Sequence, residues 1–148
     1  MQDEIFFSEH TVIPGTSNPA VSKKFVGGVV ANISRHLALL GVPVQLVSAL
    51  GNEADSQWIQ SVLAADGVNT RHVVHADAHC GRYTSFLQPD GTLFAAMCHD
   101  ISRETITTHL LSRMQESLMQ ARLLVCWPPW RARRARRSSL LPETASSP

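Results

Sequence analysis

The strongest constraint on the fold is an alternation of periods between residues 30 and 74, with each change falling on a glycine or proline. Val30, Ile33, Leu37 and Leu40 recur at helical spacing and stop at Gly41, a residue suited to the left-handed conformation that closes a helix. Pro43 blocks continuation, and 44–50 is a mainly apolar run that reads as a strand ending at Gly51-Asn52. A second helix follows, with Asp55 or Ser56 available as cap, Trp58, Ile59, Val62 and Leu63 as its stripe, and Gly67 as its stop. Residues 70–74 supply the next strand. Strands that alternate with helices are joined most simply as parallel neighbours through helical crossovers, so the fold class is α/β.

The flanks carry weaker signals. Residues 1–24 show no sustained period and contain Pro14-Gly15 and Asn18-Pro19, which predicts a short strand at 5–7, then a loop, with order starting near Phe25. Segments 83–88 and 93–97 flank Pro89-Asp90-Gly91-Thr92, a turn that predicts an antiparallel hairpin set apart from the parallel sheet. Ile106, Leu110, Leu111, Met114 and Leu118 predict one amphipathic helix, and 122–126 a short buried strand.

Composition narrows the class. A chain of 148 residues with 44% apolar side chains suits one compact domain. No run approaches the roughly 20 apolar residues of a membrane span, and Met1-Gln2-Asp3-Glu4 lacks the basic and apolar regions of a secretory signal. No membrane partner and a cytoplasmic location are therefore expected. Cys80, Cys98 and Cys126 form no CxxC pair and predict reduced thiols. His72, His75, His79 and Cys80 are near in sequence, but side chains along a strand alternate between faces, so surface histidines are expected rather than a metal site.

Charge is unevenly spread. Residues 1–122 carry 8 basic and 11 acidic side chains, whereas 123–148 carry 5 arginines and only Glu143. After Trp127-Pro128-Pro129-Trp130 the chain becomes rich in Arg, Ser and Pro with no apolar face, so 1–126 reads as the folded part and 127–148 as a disordered basic tail. Either a shifted reading frame or a genuine basic extension accounts for the change. Such a tail binds anionic polymers only nonspecifically, and no specific nucleic-acid partner is expected.

The residues with the most chemical content are Gly27-Gly28-Val29-Val30-Ala31-Asn32-Ile33-Ser34. Paired glycines ahead of a helix admit close approach of a ligand to the backbone, and Asn32 offers a donor and an acceptor to sugar hydroxyls. Taken alone, the stretch also fits a tight turn into a helix. Its context is Leu39-Leu40-Gly41, Val47-Ser48-Ala49-Leu50-Gly51-Asn52, Gly67-Val68, Gly81-Arg82-Tyr83 and Gln88-Pro89-Asp90-Gly91. In order and spacing these resemble the N-terminal half of PfkB-type, ribokinase-like carbohydrate kinases, over about residues 13–126. Gly15-Thr16-Ser17-Asn18-Pro19 looks most like the pseudouridine kinase branch.

The resemblance implies a partial ribokinase-like parallel sheet with helical crossovers and a β-hairpin lid. It implies that Gly27, Gly28 and Asn32 bind a hydroxylated sugar or nucleoside, with Tyr83 in the lid strand. Read from its own setting, Tyr83 is an aromatic on a half-buried strand. The family uses ATP and Mg2+ and an aspartate base in a C-terminal Gly-Ala-Gly-Asp motif at a helix start. The last glycine here is Gly91 and the last aspartate Asp100, so no catalytic residue can be matched and neither ATP nor Mg2+ is expected to bind. The family's N-terminal, sugar-binding aspartate also has no evident match, Asp3 included. After Leu124-Val125-Cys126 the branch's Asp-x-Asn gives way to Trp127-Pro128-Pro129. The expectation is a truncated kinase, inactive alone; the alternative is a noncatalytic fragment that pairs through its lid with a full-length kinase or a second copy.

Overall fold

The structure is a computed structural model that describes residues 1–127. Of the tail expected over 127–148, residues 128–148 lie outside the described residues. The elements are β1 (Gln2–Ser8), β2 (Ala20–Val26), α1 (Val29–Leu39), β3 (Gln45–Leu50), α2 (Ala54–Ala65), β4 (Asn69–His75), β5 (Arg82–Leu87) and β6 (Leu93–His99), followed by α3 (Ser102–Thr105), α4 (Thr108–Arg113) and α5 (Gln115–Gln120).

The central alternation forms as the periods predict. β3 and β4 pair in parallel, with α2 as the crossover between them. Gly41 and Gly67 end α1 and α2 at φ 78° and 86°. Beyond them, Val42 N–H donates to Leu37 O and Val68 N–H to Leu63 O, both at 3.0 Å, the bonding that a left-handed glycine permits. Leu46, Leu50, Ile59, Leu63, Val68, Val73 and Cys80 close the core with Val26, and Val30, Ala31 and Ala38 of α1 pack against it. The packed face of α1 thus runs through its alanines, and Leu40 lies 79% exposed beyond the helix end. α2 is capped by Glu53 rather than Asp55 or Ser56, with no side-chain cap bond. Asp55 is engaged elsewhere, by Arg82 and Lys24.

A second sheet has the order β2-β1-β5-β6. β1 pairs antiparallel with β2 and parallel with β5, and β5 pairs antiparallel with β6. The hairpin turn is as expected: Gly91 has φ 83°, Gly91 N–H donates to Gln88 O, and Asp90 Oδ1 accepts from Thr92 N–H. The hairpin is apart from β3–β4, but it is not alone. It forms half of a sheet whose other half is β1, which contains the short strand expected at 5–7, and β2, from the segment read as loop.

Order therefore begins at Gln2, not near Phe25. β2 escaped notice because every residue before Val26 is exposed, which leaves no alternation to detect. It is an edge strand carrying Lys23 and Lys24, side chains that discourage pairing with other chains.

Two C-terminal expectations are corrected. The single helix predicted through 106–118 is broken into two short ones, α4 and α5, with α3 ending just before it. Ile106 leaves helical geometry at ψ 84°, Thr107 starts α4 by accepting Leu110 N–H on its hydroxyl at 3.2 Å, and Met114 divides α4 from α5 at φ −105°. The strand predicted at 122–126 does not form. Leu123, Leu124, Val125 and Cys126 are exposed, and no described strand runs beside them to supply a ladder. Among the described residues no helix is long and apolar enough to cross a membrane.

Candidate functional site

The two sheets meet where β2 turns into α1, at Gly27-Gly28. Gly27 N–H donates to Met1 O at 3.1 Å, and Gln2 N–H donates to Gly81 O at 2.8 Å, so β1 is clamped on both sides at this point. A Cβ on Gly27 would overlap the Asp3 carboxylate, which lies directly on the glycine backbone. Gly28 has φ 97° and ψ 129° as the residue before α1, a conformation that side chains resist. Thus each glycine is needed for a different reason: Gly27 for close approach and Gly28 for its dihedral angle.

Asp3 was set aside in the sequence, and it is the residue the structure brings into the site. Strand register places it beside Phe25 on β2 and Tyr83 on β5, and Tyr83 beside Cys98 on β6. Directly paired residues project from the same face, so Phe25, Asp3, Tyr83 and Cys98 form a row across the sheet. Burial pushes the Asp3 carboxyl above its usual range, against the pull of the N-terminal ammonium. Burial also raises the Cys98 thiol, helped by the Asp100 and Asp3 carboxylates, as expected for groups sharing one face. Asn32 is the fourth residue of α1, with its N–H bonded to Gly28 O at 2.9 Å and its side chain exposed. Gly27, Gly28, Asp3 and Tyr83 are therefore brought together, with Asn32 one helical turn along.

The opposite face of the same sheet is ionic. Arg82 reaches Asp55 at 3.0 Å and Glu4 at 3.7 Å, while Lys24 reaches Asp55 at 3.8 Å. The pairs to Asp55 tie the sheet to the first turn of α2.

The histidines are dispersed. His72 lies against Ser117, and His75 Nδ1 is 2.8 Å from Gly51 O. His79 pairs with Glu53 at 3.0 Å beside a surface depression lined by Asn52, Glu53, Asp77 and Ala78. Glu53 is structural: its Oε1 accepts Cys80 N–H at 2.7 Å, and this bond, aided by His79 and Arg82, holds its carboxyl below the usual range. A second depression, at Thr11, Gln88, Pro89 and Asp90, belongs to the hairpin tip. Among the described residues no group of three His, Cys, Asp or Glu side chains converges as metal ligands.

The chain matches the family of pfkB carbohydrate kinases over residues 4–126, most of its length. It belongs to that family. It is 28% identical over 120 residues to the pseudouridine kinase of Escherichia coli (strain K12), which covers 80% of this chain and 38% of that protein. Among solved structures, a carbohydrate kinase from Agrobacterium tumefaciens is similar at TM-score 0.70 and 23% identity, over 81% of this chain and 40% of that one. Ribokinase from Cryptococcus neoformans var. grubii serotype A, in complex with ADP, is similar at TM-score 0.57 and 30% identity, over 66% of this chain and 31% of that one. The fold is that of ribokinase-like kinases, and the chain spans less than half the length of these relatives.

Members of the pfkB family are ATP-dependent kinases. The start of α1 does not offer a phosphate site. α1 is the helix opened by glycines, and its start carries the Asp3 carboxylate, a like charge for a phosphate group.

Proposed function

We propose that this pfkB-family chain is the substrate-side part of a nucleoside kinase of the pseudouridine kinase type, and that it binds the ribose without transferring a phosphoryl group on its own. The observation that carries the reading is the Asp3 carboxylate seated on the Gly27 backbone at the start of α1. An ionised carboxylate accepts several hydroxyl protons at once, which suits vicinal hydroxyls of a pentose. Gly27 gives that carboxylate its position, Gly28 opens the turn, and Asn32 contributes a donor and an acceptor from α1. Tyr83, beside Asp3 on β5, belongs to the lid over the sugar.

Support for the missing transfer step is chemical. Abstraction of the hydroxyl proton needs a base in line with the γ-phosphoryl group, and stabilisation of the transferred charge needs amides or cations around it. Among the described residues, no aspartate after Asp100 and no glycine after Gly91 builds such a helix start.

The test is an ATP- and Mg2+-dependent phosphorylation assay of the full chain with pseudouridine and ribose, run beside calorimetric titration of the same ligands. Binding without turnover is the expected result. Turnover would show that a base exists outside the site described, and absence of binding would remove the site itself.

A second reading rests on β6, the outer strand of the lid sheet, where Leu93, Phe94 and Met97 are exposed. An apolar edge of this kind can add to another sheet, so pairing with a full-length kinase or a second copy would use it. Size-exclusion chromatography of the chain alone and mixed with an intact relative distinguishes this from simple ligand binding.

A further inference from the structure

The start of the parallel sheet carries a polar cluster apart from the glycine turn. β3 and β4 slip in register there: Gln45 is paired with Asn69 and Val47 with His72, so Leu46 alone stands opposite both Thr70 and Arg71. Successive side chains on a regular strand face opposite sides, but a bulge re-aims them, and bulges are over-represented beside functional sites. Here Arg71 and His72 reach one point. Arg71 Nη2 lies 3.1 Å from Ser117 Oγ on α5, and His72 Nε2 lies 3.4 Å from the same oxygen. Arg71 Nη2 also meets Gln45 Oε1 at 3.4 Å. The cluster has an excess of donors. Arg35 and Arg82 pair with carboxylates, whereas among the described residues Arg71 meets only a neutral amide and a hydroxyl. Gln45 Nε2 is buried without a hydrogen-bond partner, a costly state for a donor. Glu116, beside Ser117 in sequence, is exposed and pairs with none of these side chains.

We infer that Arg71, Gln45, His72 and Ser117 form a binding site for a phosphate group, free or as a monoester, that joins the start of the β3–β4 sheet to α5. A guanidinium fork matches two oxygens of such a group, and amide, imidazole and hydroxyl donors match the rest. The site is distinct from the Asp3–Gly27 turn and does not depend on how that turn is read. Gln45 begins β3, and Leu50 ends it about 16 Å further on, next to Gly51, whose backbone abuts Ala78 and Cys80 just ahead of β5. α5 buries no residue of its own, so a ligand held between Ser117 and β4 would fix it to the sheet and stabilise the folded chain by mass action.

The experiment is amide NMR and calorimetric titration of the full chain with sodium phosphate, glycerol 3-phosphate and, at matched ionic strength, sodium chloride. The expected result is that phosphate shifts the amides of Gln45, Arg71, His72 and Ser117 and that chloride does not. Binding of the ester as well as the free anion would show that the phosphate group alone is read; binding of free phosphate only, or of the ester only, would name the source. Arg71→Ala and Gln45→Leu are each expected to weaken binding about tenfold. Lys23→Ala, which removes the same charge from β2, should leave it within about twofold. Arg71→Lys, which keeps the charge without the fork, should recover part of the loss. Amide spectra of the free variants show whether each keeps the fold, and either of the two weakening variants suffices for the comparison. The inference is overturned if neither phosphate ligand binds, if chloride gives the same shifts, if the shifts lie only outside this cluster, or if Lys23→Ala costs as much affinity as Arg71→Ala.

Discussion

The two sheets of this chain are held by different forces. β3 and β4 bury Leu46, Ala49, Leu50 and Val73 against the helices, while the four strands of the lid sheet together bury only Gln2, Val26 and Ser85. The first sheet is fixed by loss of apolar surface from water, which favours folding by about 25 cal/mol per Å². The lid sheet depends on its backbone ladders, the Phe6–Phe86 stack with centroids 5.3 Å apart, and the ion pairs around Asp55. A layer held in this way can adapt to a ligand at lower cost than a packed core, and the candidate site lies along the seam between the two.

Substitutions that separate the layers test this difference. The largest effect is expected in the core: Leu50→Ala should destabilise the fold by about 2–5 kcal/mol, whereas Phe94→Ala on β6 should change it by about 0.5 kcal/mol or less. Denaturant unfolding of both variants makes the comparison, and similar losses would refute the division into a packed and a laddered layer.

Gly27→Ala acts at the seam. The new methyl would meet the Asp3 carboxylate, so a loss of about 1–3 kcal/mol is expected together with loss of nucleoside binding, read by unfolding and titration of the same sample.

Asp3→Asn should leave the fold in place and weaken ligand binding about tenfold or more, because a hydrogen bond to a charged acceptor is replaced by a weaker one. The pH dependence follows from the raised carboxyl. Protonation removes acceptors, so affinity should fade as pH drops through the raised Asp3 value, above the usual aspartate range, and Asp3→Asn should flatten that profile. Stability runs the other way. The group's favourable contribution is full below its unfolded value and is lost as pH rises through the folded one.

The smallest effect is expected at Arg82→Ala, which releases Glu4 and Asp55 near the surface. A loss of about 1 kcal/mol or less, shrinking with added salt, would fit an ionic tie between lid and α2. A salt-independent loss would point instead to packing by the arginine stem.

What could be read from the sequence follows the same division. α1, β3, α2 and β4 were legible because burial imposes a period on Ile59, Leu63 and Val73 and because Gly41 and Gly67 mark the helix ends. β2 was not, since a strand exposed on nearly every residue has no pattern. Asp3 was lost with it: its place on Gly27 exists only once β1 and β2 are paired. The helix over 106–118 was misread because its apolar residues satisfy a helical period that Thr107, by capping a new start, interrupts.

The most direct test of the account is a two-dimensional amide NMR titration of the chain with pseudouridine. The account predicts that the amides of Asp3, Gly27, Gly28, Asn32 and Tyr83 shift first and saturate together, while those of Leu50 and Val73 stay in place. Shifts confined to the Asn52–His79 depression, or none at the Gly27 turn at saturating ligand, would contradict it.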